Sequence, residues 1–141
     1  MITRTASARY DGFGKDGKGR VSTQSGVLAD QPYGFGSRFE SERGTNPEEL
    51  IAAAHAACFT MALSFALAKA GQSQGRLETD AKVTLEKDGD GFKVSRSDLV
   101  LEADVPGLDA AQLRELAEGA KAGCPISKLF NAEISLEIRE R

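Results

Sequence analysis

The chain has 141 residues, of which 40% are hydrophobic and 28% are charged, and its net charge is −3 at pH 7. This composition is typical of one globular domain over 1–141, and the mixed charges exclude nucleic acid and an anionic membrane surface as natural partners. Two cysteines are too few for a disulfide framework, and no signal-peptide pattern is present. A cytoplasmic location is therefore expected, where cysteines are buried residues, metal ligands or redox thiols.

The first part of the chain is predicted to be rich in β-structure. The segments "TRTASARYDG" and "RVSTQSGVL" flank the glycine-rich "FGKDGKG", and this arrangement predicts a hairpin. The next segment, "QPYGFG", indicates a loop, and "SRFES" predicts a third short strand.

The stretch "EELIAAAHAACFTMALSFALAKAG", from Glu48 to Gly71, predicts one long helix. Its N-terminal signals are two capping residues, a proline suited to the first helical position and two glutamates suited to the positive end of the dipole: Thr45, Asn46, Pro47, Glu48 and Glu49. Gly71 suits the position just past its end. The uncharged run Leu50–Ala68 is long enough to span a membrane, but polar residues interrupt it and no second such segment exists. A buried helix of a soluble core, with no membrane partner, is the preferred interpretation.

The remaining segments predict a hairpin, a helix and a final strand. "RLETDAKVTLEKDG" and "FKVSRSDLVLEADV" are joined by the turn "DGDG", and a phase slip in the second predicts a bulge within 95–98. "GLDAAQLRELAEGAKAG" is amphipathic with Asp109 near its N-cap, and the last strand alternates from Ala132 to Ile138. The order of elements predicts an α+β fold with mostly antiparallel strands.

The long apolar helix also predicts an assembly. Apolar residues lie on every face of it, and a domain of this size has too little material to cover all of them. We therefore expect a dimer in which two copies share one core.

The segment "AGCPISKLF" places Cys124 directly before Pro125, which favours the first position of a helix. Cys124 is thus predicted to be the N-cap of a new short helix, where backbone N–H groups stabilise a thiolate. From the residues alone, a small buried core residue is the preferred interpretation of Cys58, and a simple cap is the alternative for Cys124. His55 is open to three interpretations: a zinc ligand with the two cysteines, a base that activates Cys58, or, as preferred, a packed core histidine with one satisfied nitrogen.

Two segments, "SGVLADQPYGFGSRFESERGTNPEELIAAAHAACFTMALS" and "AKAGCPISKLFNAEISLEI", closely resemble the OsmC branch of the OsmC/Ohr family. The resemblance covers nearly the whole chain. It implies an α+β fold with two long central helices and mostly antiparallel sheets in an intertwined homodimer. It also implies a cytoplasmic peroxidase that reduces hydroperoxides, organic ones in particular, at active sites on the subunit interface.

The resemblance also implies roles for individual residues. The cysteine of "HAACF", Cys58, is the peroxidatic residue, and the cysteine of "AGCP", Cys124, is the resolving residue. The glutamate after the proline of "TNPEEL" is Glu48, with Glu49 as a rival, and the arginine of "GFGSRFE" is Arg38. The expected route is a Cys58 sulfenic acid, a Cys58–Cys124 disulfide and reduction by an external thiol such as a dithiol or a lipoyl-type thiol, with no flavin, haem or metal.

The residue types suit this chemistry. Cys58 lies in mid-helix, where burial raises the pKa of a thiol and no helix terminus lowers it, so a cation is required. Arg38, held by Glu48 and acting within its own subunit or across the dimer, is the expected cation. Five aromatic residues are candidates for an apolar substrate pocket: Tyr33, Phe35, Phe39, Phe59 and Phe65. The alternative function is a stress-related binding protein with incidental thiols.

Overall fold

The computed structural model describes residues 1–140, with the side chains of residues 1–139. The chain consists of two compact units, Met1–Leu50 and Ile51–Arg141. A single domain over 1–141 stays a prediction.

The first unit contains a three-stranded antiparallel sheet in the order β1-β2-β3. Its strands are β1 (Ala6–Asp11), β2 (Lys18–Thr23) and β3 (Gln31–Tyr33). Strands β1 and β2 pair in a continuous register across the glycine-rich loop. The predicted hairpin is therefore confirmed.

The prediction of a third strand in "SRFES" is wrong, because α1 (Phe35–Phe39) is helical and the third strand comes from the segment assigned to a loop. Local hydrogen bonds explain the difference. The Gly34 N–H donates to Ser37 Oγ at 3.0 Å, and the Arg38 N–H donates to the Gly34 carbonyl at 3.1 Å. The rings of Phe35 and Phe39, four residues apart, also contact each other with centroids 5.1 Å apart. A capping serine and an aromatic pair at helical spacing thus outweigh the strand propensity of a short segment.

The long helix α2 (Pro47–Lys69) has 23 residues and begins and ends where its sequence signals predict. Asn46 Oδ1 accepts the Glu49 N–H at 2.8 Å, as an N-cap does. Beyond its end, Gly71 has a φ of +93°, and the N–H groups of Gly71 and Gln72 donate back to helix carbonyls at 3.0 Å each. This left-handed C-terminal turn favours glycine.

The second unit contains the mixed sheet β4-β5-β6, in which β4 and β5 are antiparallel and β5 and β6 are parallel. Its further elements are β4 (Arg76–Asp88), β5 (Gly91–Asp104), α3 (Ala110–Gly123), α4 (Pro125–Leu129) and β6 (Glu133–Glu140). The two helices form the crossover that a parallel pair requires. Thr84 pairs with Arg96 and Leu85 with Val94, so Ser95 is the extra residue and the predicted bulge is confirmed.

One face of α2 belongs to the core of the second unit. Its buried residues recur every four positions: His55, Phe59, Leu63 and Leu67. They share the core with apolar residues of β5 and α3: Leu99, Leu101, Ala103, Ala117 and Ala120. Burying one leucine or phenylalanine stabilises a fold by roughly 1.5–3 kcal/mol, so this face anchors the helix.

The other side of α2 is exposed in the single chain. Met61 is 60% exposed and Phe65 is 69% exposed. Burial of α2 on every side was predicted, and within a single chain only one face of the helix is buried. By length and composition alone α2 could cross a membrane, but the core helix of a soluble protein has the same properties.

Candidate active site

A bidentate ion pair lies in the first unit. Arg38 Nε donates to Glu48 Oε1, and Arg38 Nη2 donates to Glu48 Oε2, both at 2.9 Å. The Glu48 side chain is 12% exposed and that of Arg38 is 36% exposed. The hydrogen bond to Glu48 raises the pKa of Arg38 above its ordinary value, against the opposing effect of burial. The rival Glu49 instead accepts the hydroxyl of Thr45 at 2.8 Å.

The turn between α1 and α2 creates this pair. Ser37, on α1, donates its hydroxyl to the Thr45 carbonyl at 2.7 Å, and Asn46 donates its side-chain amide to the Ser37 carbonyl at 3.0 Å. Gly44 has a φ of +138°, and a Cβ there would lie 2.5 Å from the Pro32 carbonyl oxygen. A left-handed glycine and two side-chain hydrogen bonds thus bring the end of α1 beside the start of α2.

Arg38 also lines a small cavity of about 170 Å³ in the same unit. Its walls are largely aromatic, with contributions from Tyr10, Tyr33, Phe35, Phe39 and Pro47. The guanidinium carbon lies 5.4 Å from the centre of the Phe39 ring, within cation–π range. Three of the five predicted pocket aromatics are therefore here, whereas Phe59 lies in the core of the second unit and Phe65 is exposed on α2.

The two cysteines lie together in the second unit, both as free thiols. Cys58 is half-buried and Cys124 is 1% exposed. Burial raises the pKa of Cys58, a hydrogen bond with the backbone of Ile126 lowers it, and contact with the Cys124 thiol raises it again. Thiol–thiol contact is the arrangement that disulfide closure requires.

The predicted N-cap role of Cys124 is confirmed. Pro125 occupies the first position of α4, and the Ser127 N–H donates to Cys124 Sγ at 3.3 Å. The Ser127 hydroxyl lies 3.1 Å from the same sulfur. The sulfur therefore has two polar neighbours from one residue.

His55 is fully buried and hydrogen-bonded at both ring nitrogens. Its Nδ1 lies 2.7 Å from Ser97 Oγ, and its Nε2 lies 2.8 Å from Ser127 Oγ. Burial lowers its pKa, and the ring also contacts Phe130 edge-on at 4.7 Å. The prediction of one satisfied nitrogen is thus wrong by one hydrogen bond. Both nitrogens contact serines, which matches neither a zinc site nor direct contact with Cys58.

Three polar groups escaped the sequence interpretation: the hydroxyls of Ser97 and Ser127, and the backbone amide of Ile126. Two signals pointed to the serines. Ser127 lies three residues after a predicted N-cap, where N–H groups contact the capping side chain. Ser97 has the odd spacing of Leu99 and Leu101 along β5, but it fell within the predicted bulge at 95–98 and was therefore given no place in the core.

The predicted site residues therefore form two groups. Arg38 and Glu48 are paired in the first unit, and Cys58 and Cys124 are in contact in the second. The first group offers a fixed positive charge, and the second offers two thiols that can be oxidised as a pair.

Comparison with known proteins identifies the family. The family model described as OsmC-like protein matches residues 39–139. The chain is 52% identical over 136 residues to Peroxiredoxin OsmC of Escherichia coli (strain K12), covering 96% of this chain and 95% of that protein. It is 34% identical over 125 residues to Organic hydroperoxide resistance protein OhrB of Bacillus subtilis (strain 168), covering 86% and 89%.

Solved structures agree with these sequence matches. The crystal structure of OhrB of Bacillus subtilis matches with a TM-score of 0.76 at 32% identity, covering 98% of each chain. An organic hydroperoxide resistance protein from Elizabethkingia anophelis matches with a TM-score of 0.80 at 27% identity, covering 100% of this chain and 98% of that chain. The α+β prediction is thus confirmed. The chain belongs to the OsmC family, and the resemblance seen in its two cysteine segments is confirmed.

Proposed function

We propose that Cys58 reduces hydroperoxides and that Cys124 then closes a disulfide with it. The class of activity follows from the family: relatives that cover most of the chain are named peroxiredoxin and organic hydroperoxide resistance protein. The protein is a thiol-dependent peroxidase. The observation that carries the finer proposal is the contact between two free thiols, Cys58 and Cys124, within one unit.

The reaction has three steps. The Cys58 thiolate attacks the terminal peroxide oxygen, the O–O bond breaks, and an alcohol or water leaves while Cys58 becomes a sulfenic acid. The Cys124 sulfur then attacks the Cys58 sulfur, and the sulfenic oxygen leaves as water. An external thiol reopens the disulfide by exchange, and a dithiol or lipoyl-type thiol suits this step because its second sulfur completes the reduction.

The first step requires a thiolate, and Arg38 is the proposed source of its stabilisation. Burial raises the pKa of Cys58, and within the second unit the Ile126 backbone is the group that opposes this effect. A guanidinium keeps its charge in any setting. Glu48 occupies Arg38 Nε and Nη2, and no hydrogen bond to the described residues engages Nη1. That nitrogen remains for the thiolate or the peroxide, in the same subunit or in the partner.

The cavity beside Arg38 supports organic hydroperoxides as substrates. Its aromatic walls suit an apolar group, and the guanidinium suits the polar peroxide group. Hydrogen peroxide uses the same thiol and gains nothing from the aromatic walls. No flavin, haem or metal enters any step of this route.

A homodimer is the proposed assembly. The exposed side of α2 combines two large apolar residues with small ones: Ala53, Ala54, Ala57, Met61, Phe65 and Ala68. Small residues let a second helix approach closely, and a second copy presents the same surface. We also propose a cytoplasmic location, because a reducing compartment keeps the thiol pair ready for turnover.

The test is hydroperoxide consumption with dihydrolipoamide as reductant. Wild type should consume both cumene hydroperoxide and hydrogen peroxide, with the organic substrate faster. Cys58→Ser should be inactive on both. Equal consumption by Cys58→Ser would show that the thiol is incidental and favour a binding protein instead.

A further inference from the structure

A continuous buried chain of polar contacts links His55 to the resolving thiol. Ser97 Oγ contacts His55 Nδ1 at 2.7 Å, His55 Nε2 contacts Ser127 Oγ at 2.8 Å, and Ser127 Oγ contacts Cys124 Sγ at 3.1 Å. Ser97 and His55 are 0% exposed, Cys124 is 1% exposed and Ser127 is 7% exposed. Three elements, α2, β5 and α4, contribute to it, so the arrangement is not a product of local sequence.

Two arrangements of the protons satisfy these contacts, and one of them leads from Cys124 to His55. A neutral imidazole donates at one nitrogen and accepts at the other, and a serine hydroxyl has one proton to donate. If Ser127 donates to His55 Nε2, its oxygen is free to accept the Cys124 S–H, and Nδ1–H donates to Ser97. Every proton then has an acceptor along the line from Cys124 to His55.

We propose that His55, acting through Ser127, takes the proton of the Cys124 thiol as that thiol attacks oxidised Cys58. The inference rests on the proposed function and concerns its second step. His55 touches no reacting atom and is a positioning residue, whereas Ser127 contacts the attacking sulfur directly.

The step balances without any added reagent. The Cys124 proton moves to Ser127 Oγ while the Ser127 proton moves to His55 Nε2, which leaves a thiolate and an imidazolium. The thiolate attacks the sulfenic sulfur of Cys58, an S–S bond forms and the S–O bond breaks. Cys124 sulfur is oxidised and Cys58 sulfur is reduced, and the departing hydroxide and the proton released by the imidazolium together make one water. His55 returns to its neutral form.

The surroundings of the ring suit a temporary proton acceptor. The groups that contact it are Ser97 from β5, Ser127 from α4 and Phe130 after α4. Burial alone lowers the pKa of His55, and no charged side chain among residues 1–139 contributes to that shift. The ring is therefore neutral and ready to accept at neutral pH. Once formed, the Cys124 thiolate is stabilised by the hydroxyl and the backbone N–H of Ser127.

The test separates peroxide attack from disulfide closure. The reduced protein is mixed with one equivalent of cumene hydroperoxide and quenched in acid at short times. Intact-mass spectrometry then distinguishes the thiol, the sulfenic acid and the disulfide. The variants are Ser127→Ala and His55→Gln, with Ser127→Thr as the conservative replacement. Ser135→Ala is the matched control, because Ser135 hydrogen-bonds to Asp98 and pairs in register with it on the strand face that alternates with the Ser97 face.

We expect Ser127→Ala and His55→Gln to form sulfenic acid at the wild-type rate and to close the disulfide at least about tenfold more slowly at pH 7. Ser127→Thr and Ser135→Ala should resemble wild type. Between about pH 6.5 and pH 8.5, wild-type closure should be nearly constant, whereas closure in Ser127→Ala should rise about tenfold per pH unit, because the thiol then ionises without an internal acceptor.

Disulfide closure in Ser127→Ala and His55→Gln at the wild-type rate would overturn the proposal. A fall in the closure rate by the same factor at every pH would also overturn it, since a packing defect lowers the rate uniformly. Repeating closure with diamide, which activates Cys58 without any peroxide, separates the role of His55 in disulfide closure from the proposed peroxidase function. With diamide, a flat pH profile in wild type and a steep one in Ser127→Ala, together with no consumption of peroxide, would refute the proposed function and leave the role of His55 intact.

Discussion

The Arg38–Glu48 pair of the first unit holds two charged groups, whereas the thiol site of the second unit favours neutral ones. Arg38 and Glu48 are both ionised, joined by two hydrogen bonds, and Arg38 is about one-third exposed, so the cost of desolvating its charge is limited. Cys58, Cys124 and His55 contact neutral groups, and burial raises the pKa of Cys58 and lowers that of His55. The second unit therefore favours the uncharged form of its reactive groups. A thiolate in the second unit must therefore be stabilised by a group from elsewhere in the protein, or be formed only during the reaction step that uses it.

The largest expected effect is on the thiol site itself. Cys124→Ser should allow one oxidation of Cys58 per subunit and then stop, because nothing within the site resolves the sulfenic acid. Steady-state turnover should fall by at least about a hundredfold while the first equivalent of peroxide is still consumed. Rapid-mixing measurement of peroxide loss, followed by steady-state assay with dihydrolipoamide, checks both parts.

Excess peroxide adds a second readout to this experiment. Cys58 in Cys124→Ser should proceed to sulfinic acid, whereas wild type should stop at the disulfide. Unimpaired turnover in Cys124→Ser would mean that the external thiol resolves the sulfenic acid directly and that the thiol contact is incidental.

The exposed side of α2 is the proposed dimer interface. Its disruption tests whether Arg38 and Cys58 act together within one chain or across two. Phe65→Glu should weaken the proposed homodimer by about a hundredfold or more, because it would place a charge where that dimer buries an apolar side chain between copies. Sedimentation velocity across a range of concentrations measures this. Phe13→Glu is the control, since Phe13 is 94% exposed in a loop of the first unit.

The Phe65→Glu variant also tests which subunit supplies Arg38 to Cys58. If the monomeric Phe65→Glu keeps reduced thiols but loses fast peroxide attack, Arg38 of one subunit serves Cys58 of its partner. A wild-type protein that sediments as a folded monomer at micromolar concentration would contradict the proposed homodimer.

The proposed stabilisation of the Cys58 thiolate by Arg38 gives the next prediction. Arg38→Ala should raise the pKa of Cys58 further, and alkylation of Cys58 at neutral pH should slow by about tenfold in a Cys124→Ser background. Stability should change by less than about 1 kcal/mol, since the pair is partly exposed. Arg38→Lys should restore only part of the rate, because an ammonium lacks the planar fork that Glu48 holds.

Arg96→Ala is the matched control for this experiment. Arg96 also pairs with a carboxylate through several short hydrogen bonds, to Asp98 at 2.7 to 3.0 Å. Its removal should leave the alkylation of Cys58 unchanged. Coincident titration curves for wild type and Arg38→Ala would show that the two regions act independently.

Local signals explain what the sequence predicted well. The ends of α2, the N-cap at Cys124 and the bulge at Ser95 each depend on residues a few positions apart, where propensity and spacing act directly. The helix α1 was missed because one serine hydrogen bond and one aromatic pair decided between two short structures.

Long-range geometry explains what remained hidden. The choice of Glu48 over Glu49 as partner of Arg38 depends on the turn at Gly44. The contacts of His55 join it to residues 42 and 72 positions away in the chain, Ser97 and Ser127. No periodicity marks such pairs, so only the folded chain reveals them.

The smallest expected effect concerns the pair Arg96–Asp98, which has the fork geometry of Arg38–Glu48 but no proposed role in catalysis. Hydrogen bonds from Arg96 and Ser135 lower the pKa of Asp98 from 3.8 to about 2. A carboxyl whose pKa is lower in the folded state stabilises the fold above its unfolded pKa. That contribution should be lost as the pH falls from about 4 to about 2.

Urea unfolding across this range tests the effect. The contribution is at most about 1 kcal/mol, because solvent reaches both partners. Asp98→Asn should flatten the stability profile between pH 4 and pH 2, whereas Asp11→Asn, whose partner Arg9 is well exposed, should not. A steep profile that persists in Asp98→Asn would assign the acid sensitivity to other carboxylates.

Intact-mass measurement tests whether Cys58 and Cys124 form one redox pair. Reduced wild-type protein treated with one equivalent of cumene hydroperoxide per subunit should lose two hydrogen atoms, and peptide mapping should find a Cys58–Cys124 link. A product that has gained oxygen with both sulfurs unlinked, or a disulfide between subunits, would contradict it.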